Sequence, residues 1–248
     1  GEGEKVTAII PVTEFTEDIY LLLITKFGVV KRINLMEYKT KRVAGLFAIN
    51  LDEGDELLFV KKTNGESQVL VATLQGQGQR FKEEDVRCMG RQARGVKCMT
   101  LEEGDYIVGA AVIDEDRVAN GAKLLSITEN GFGKRTELDE FKVQHRGGKG
   151  LMCHKLSEKT GSLAGIAIVD PDDDIMLITD SGIIIRIGID EIPVYSRAAG
   201  GVIVMRTGEE ARIVGFTRVK KEDEEDSDAD EGEQTGETDS EAVGGTEE

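Results

Sequence analysis

The stretch Leu124-Leu125-Ser126-Ile127-Thr128-Glu129-Asn130-Gly131-Phe132-Gly133-Lys134-Arg135 decides how the chain folds. An apolar run ends at a threonine, a glycine follows three residues later, and a second short run closes on an arginine. Two strands joined by a glycine-bearing turn make a β-hairpin. The frame Thr-x-x-Gly-x-x-x-Arg occurs four times: Thr25/Gly28/Arg32, Thr73/Gly76/Arg80, Thr128/Gly131/Arg135 and Thr179/Gly182/Arg186. Successive threonines lie 48, 55 and 51 residues apart. Self-similarity at such a period marks a repeat architecture.

Each hairpin is followed by a second glycine (Gly45, Gly95, Gly150, Gly201), 13, 15, 15 and 15 residues after the arginine. Short apolar runs come next and predict third strands over Leu46–Leu51, Val96–Leu101, Leu151–Leu156 and Val202–Arg206. A glycine turn then leads to fourth strands at Leu57–Val60, Ile107–Val112, Ala164–Val169 and Ile213–Val219. No long 3.6-residue periodicity is present, so helices are expected to be few and short. The frame also fits the N-terminus, where Val6–Val12 predicts the fourth strand of a preceding unit and points to a fragment. The expected fold is all-β, a propeller-like array of four-stranded blades at about 20–62, 68–114, 123–170 and 174–219. These lie in one domain over 1–219, with 3–12 ending an earlier blade. A β-sandwich would leave the repeated glycine and arginine columns unexplained.

Composition sets the next bound. The formal net charge of −17 argues at first against a polyanionic partner. From Glu222 to Glu248, however, there are 14 acids and no Lys or Arg, which leaves 34 acids against 31 bases before them. The body is thus nearly neutral, and the tail reads as a solvated, disordered segment. No apolar run approaches the roughly 18 residues of a membrane span, and no membrane partner is expected. Three cysteines, an odd number without disulfide-like density, suggest a reducing cytoplasm.

The cations cluster in the loops before the second glycine. The third reads Gln144-His145-Arg146-Gly147-Gly148-Lys149-Gly150. Glycine allows close backbone approach, and Arg and Lys are suited to phosphate. Its counterparts supply Lys41 and Arg42, Arg91 and Arg94, and Arg197. The column Arg32, Arg80, Arg135 and Arg186 has two readings. It is either a cationic stripe along the perimeter or a set of arginines solvated or paired within their own blades. Gly148-Lys149 is followed by Gly150 rather than Ser or Thr, so the loop is no Walker A motif, and Gly76-Gln77-Gly78 is no dinucleotide fingerprint. Cys98 and Cys153 share a column with Ala48 and Val204, a small apolar core position rather than a metal site. The acid clusters at 52–56 and 102–105 lie half a repeat from the cationic loops, which suggests separate acidic and basic edges. No catalytic residue and no metal site is expected.

The repeats resemble the C-terminal domain of the DNA gyrase A protein. Residues 144–150 are similar to that family's signature loop, Gln-(basic)-Arg-Gly-Gly-(basic)-Gly, with His145 at the second position. The resemblance implies a β-pinwheel, in which neighbouring blades exchange strands and duplex DNA bends round the outer rim. It also implies partners in the rest of the gyrase A protein and in the ATPase component, gyrase B. ATP and Mg2+ would be used by the holoenzyme elsewhere, with no cofactor in this part, to drive negative supercoiling in the bacterial cytoplasm at the nucleoid. Such domains usually carry six blades with the essential loop on the first, so a loop on the third repeat reads as a second one. The DNA-binding set expected here is Gln144 to Gly150, Lys41, Arg42, Arg91, Arg94 and Arg197, with the arginine column as an extension. Alternatives are the corresponding domain of topoisomerase IV, or a propeller-like protein-interaction scaffold. The acidic tail is expected either to solubilise or to compete with DNA for the cationic loops.

Overall fold

The computed structural model describes residues 6–42, 44–208 and 211–221. The acidic tail, the first five residues, Val43 and residues 209–210 lie outside the described part.

Four small antiparallel sheets form four propeller blades. The first combines β1 (Tyr20–Thr25), β2 (Val29–Asn34) and β3 (Leu57–Thr63). The second is built on β4 (Gln68–Thr73), β5 (Gln77–Lys82) and β7 (Ile107–Ile113), the third on β8 (Lys123–Thr128), β9 (Phe132–Thr136) and β11 (Leu163–Val169). The fourth holds β12 (Asp173–Thr179), β13 (Ile184–Gly188) and β15 (Ile213–Lys220). Helix is confined, among the described residues, to one five-residue turn at Glu115–Ala119 and four short 3-10 turns.

The repeated threonine and glycine have a local cause. Each glycine N–H donates to the threonine carbonyl across the turn, at 2.9–3.2 Å. The buried threonine Oγ1 accepts the N–H four residues on: Val29, Gln77, Phe132 and Ile183, at 3.1–3.3 Å. One hydroxyl therefore pins both arms of each hairpin.

The fourth strand of a blade does not come from its own repeat. Strand β6 (Val96–Lys97) pairs with β2, β10 (Leu151–Met152) with β5, and β14 (Val202–Ile203) with β9. Each repeat thus completes the blade before it, as the pinwheel resemblance implies. This corrects the third strands read from sequence. They are two residues long rather than five or six, because they pair only with the hairpin end of the preceding blade. Residues 46–51 and 6–12 form no strand, since no preceding hairpin is present among the described residues to receive them. At Gly131 (φ +82°) a Cβ would stand 1.9 Å from the Met205 carbonyl oxygen, so the crossing segment leaves no room for a side chain. At Gly182, in the blade that receives no strand among the described residues, the same position meets none of them within 4 Å.

The core lies between blades rather than within them. One cluster joins Leu22, Ile24 and Val30 of the first blade to Val69, Val71 and Phe81 of the second. A second joins Leu70 and Ile113 to Leu124, Phe141 and Ile166. A third joins Leu125 and Ile127 to Ile175, Leu177 and Ile189. Cys98 and Cys153 sit fully buried in the first two, and burial pushes both thiols up to about 12. The inner strands β3, β7, β11 and β15 surround a central channel of about 500 Å³.

Candidate nucleic-acid interface

Three of the cationic loops, those before Gly95, Gly150 and Gly201, precede donated strands and stand where one blade is completed by the next repeat; the Lys41/Arg42 loop precedes no strand among the described residues. Loop 144–150 enters the outer edge of blade two beside β5 and lies across the segment that follows β6. Gln144 N–H donates to the Arg80 carbonyl at 2.8 Å, and Gly147 N–H to the Cys98 carbonyl at 2.7 Å. Thr100 returns two bonds, N–H to Gly148 O at 2.7 Å and Oγ1–H to Gly147 O at 2.8 Å. Gly147 and Gly150 have positive φ, and a Cβ at Gly150 would stand 2.6 Å from the Gly78 carbonyl. The glycines thus let the loop lie flat on the blade edge and leave its basic side chains outside.

Those side chains differ in freedom. His145 is 99% exposed, 3.6 Å from an Asp85 carboxylate. Lys149, at 75% exposure, donates to Glu102 at 2.8 Å, an ion pair that raises the lysine pKa and lowers that of the acid. Arg146 is partly committed: Nε donates to the Asp85 carbonyl and a terminal nitrogen to the Lys97 carbonyl, both at 3.0 Å. In the other loops, Lys41 and Arg42 are exposed and Arg91 half-buried. Arg94 pairs with Asp52, and Arg197 donates to the Met152 carbonyl at 3.0 Å.

The acidic turns therefore do not form a separate edge. Glu102 reaches Lys149 and Asp52 reaches Arg94, each acid meeting the cationic loop of the following repeat. Strand donation carries the loop half a repeat backwards in space, which a linear spacing does not reveal.

The arginine column runs into the seams between blades. Arg80, 7% exposed, donates from Nε to Gln68 Oε1 at 2.8 Å. Its terminal nitrogen donates to the Leu138 and Phe141 carbonyls of the next blade at 2.7 and 3.2 Å. Arg135 donates to the Ile192 carbonyl at 2.5 Å in the same way. Arg32 lies 5.0 Å over the Tyr20 ring and donates to the Gly65 carbonyl at 3.2 Å. Arg186, with no following blade among the described residues, pairs with Asp174 of its own blade at 2.7 Å.

One column escaped the sequence reading: the residue just before each arginine, namely Lys31, Gln79, Lys134 and Ile185. The first three are 0–1% exposed and reach the backbone of the next repeat's cationic loop. Lys31 donates to Arg91 O at 2.5 Å and Ala48 O at 2.8 Å. Gln79 donates to His145 O at 2.6 Å, and Lys134 to Ser196 O and Arg197 O at 2.7 and 2.6 Å. The available signal was a polar residue repeated at one hairpin position.

With this geometry in hand, the chain can be placed among known proteins. The family described as DNA gyrase C-terminal domain, beta-propeller, matches residues 20–64, 67–114, 122–170 and 173–220. The chain belongs to that family. The DNA gyrase A protein of Escherichia coli strain K12 is 41% identical over 232 residues, covering 93% of this chain and 26% of that protein. Its Helicobacter pylori counterpart is 40% identical over 223 residues, covering 89% and 26%. The chain thus spans about a quarter of the length of these relatives. Among solved structures, the C-terminal domain of DNA topoisomerase IV matches with a TM-score of 0.81 at 29% identity, over 88% of this chain and 67% of that one. The DNA gyrase A C-terminal domain matches at 0.78 and 26% identity, over 88% and 71%. Among the described residues, no helix is long and apolar enough to cross a membrane.

Proposed function

We propose that this chain is the non-catalytic DNA-binding part of a gyrase-type type IIA topoisomerase and bends duplex DNA round its outer rim. Loop 144–150 carries the reading: Arg146 and Lys149 on one glycine-rich turn, flanked by the Lys41/Arg42, Arg91/Arg94 and Arg197 loops. The loops with Arg91/Arg94, Arg146/Lys149 and Arg197 each precede a strand donated to the blade before, which supports a run of cations along the outer edges. Binding rests on phosphate contacts and is insensitive to sequence. The arginine column acts beneath this surface, joining blades. In the parent enzyme, DNA cleavage belongs to other segments of the gyrase A protein and ATP hydrolysis to gyrase B, in the bacterial cytoplasm.

Ligation of nicked circular DNA bound to the chain tests the proposal. Gyrase-like wrapping leaves a positive linking-number shift that Arg146→Ala/Lys149→Ala abolishes. Binding with no shift favours the topoisomerase IV-like reading, in which DNA is bent without being wrapped. No binding to duplex DNA at low salt refutes both.

A further inference from the structure

We infer that Gln79, Lys31 and Lys134 are positioning residues, each setting the rim loop of the following repeat from beneath, and that the amide of Gln79 governs loop 144–150. The inference rests on the DNA-binding reading above.

The hydrogen bonds recur with one geometry. Counted back from the closing glycine, the receiving carbonyls occupy nearly the same place: Arg91 before Gly95, His145 before Gly150, and Ser196 and Arg197 before Gly201. A donor that draws these oxygens inward turns them away from the rim. In loop 144–150 the exposed His145 and Lys149 side chains are then left on the outer side, where phosphate oxygens would approach. Had the carbonyls faced outward, their partial negative charge would oppose the same phosphates. The fourth blade supports the assignment from the other side. Its residue in the column is Ile185, which offers no donor, and no following loop lies over it among the described residues.

The donors also differ in kind. Lys31 and Lys134 are buried ammonium groups that bring a positive charge under their loops. Gln79 is neutral and donates one bond from Nε2, while its buried Oε1 has no partner among the described residues. Gly148 crosses directly above, where a Cβ would meet the Gln79 amide at 3.1–3.3 Å. A Cβ at 148 would press on that amide, which would have to give by a few tenths of an ångström.

Gln79→Leu removes the donor at similar volume, and Gln79→Lys restores one in the form used at positions 31 and 134. The readouts are duplex DNA affinity of the full chain, the effect of Arg146→Ala/Lys149→Ala in each background, and amide hydrogen exchange of residues 145–150 in free protein. Gln79→Leu is expected to weaken DNA binding about tenfold and to leave the double alanine change little more to remove. Exchange at 145–150 should rise, while β4 and β11 stay protected. Gln79→Lys should recover both affinity and protection. A Gln79→Leu protein that keeps core protection and binds DNA as tightly as the parent overturns the inference. So does a folded Gln79→Lys protein that recovers neither readout. Should the unmodified chain bind no DNA, the functional reading fails, and the exchange data alone still decide whether Gln79 sets the loop.

Discussion

Replacing Arg80 by methionine separates the two roles that an arginine in the repeated column could have. The guanidinium is 7% exposed and spans a seam, giving two hydrogen bonds to carbonyls of the next blade and one to Gln68. Methionine keeps much of the stem's apolar contact and removes every donor. The Leu138 carbonyl keeps the Phe141 N–H at 3.1 Å, but the Phe141 carbonyl loses this partner in a site closed to water. One buried group left unpaired costs about 1–3 kcal/mol, concentrated at the junction of blades two and three. Arg186→Met is the matched control. Its guanidinium is 41% exposed and pairs with Asp174 of its own blade, so its loss should loosen blade four and leave the junction of blades two and three unchanged. Urea unfolding followed by circular dichroism measures both, and DNA affinity is read well below either midpoint. If Arg80→Met leaves the urea midpoint unchanged while DNA affinity collapses, the guanidinium reads phosphate and the seam assignment is wrong.

Other consequences are open to measurement. DNA affinity should fall with salt at a slope of about −0.9 per phosphate neutralised, and Lys149→Ala should reduce that slope by about one; an affinity flat in salt refutes the phosphate reading. Glu102→Gln frees Lys149 from its partner and should tighten DNA binding by roughly two- to fivefold, since an exposed pair is weak; weaker binding would count against Lys149 as a contact. Gly150→Ala combines positive φ with a backbone clash and should release β10, whereas Gly45→Ala, with nothing within 4 Å, should cost only about 1–2 kcal/mol; equal thermal shifts would contradict this. Burial lowers His154 to about 4, so the folded chain holds it neutral while the unfolded chain protonates it below about 6.5. Stability contributed by this group is present above about pH 6.5 and lost as pH falls towards 4; His154→Gln should flatten that part of the urea midpoint profile.

The hairpins were legible because threonine and glycine each meet a local demand within the turn, whereas Arg80 and Arg135, which mark the same frame, bond across the seam. Strand exchange was legible only through family resemblance. A strand donated backwards keeps the same order and spacing in the chain as one kept at home, so periodicity cannot tell them apart. The pairing of Glu102 with Lys149 was hidden for that reason. Lys31 and Lys134 were hidden for another: lysine is ordinarily a surface residue, and only the carbonyls of a distant loop make its burial tolerable. The signature loop stood out by composition, whereas the support beneath its Gly148 is visible only in three dimensions.

Strand donation also defines a load path. Under the proposed function, DNA held in a bend would push back on the loops that hold it, and loop 144–150 is covalently continuous with β10. Its recoil therefore enters the sheet at the pairing of Leu151 and Met152 with Gly78 and Gln77. That joint is two residues long, and the force passes through it to the hairpin of the blade before. The loops before Gly95, Gly150 and Gly201 are thus each anchored in a blade other than the one their repeat builds. Tension at any of them would be carried across a seam, so that neighbouring blades would share the strain of a bent duplex.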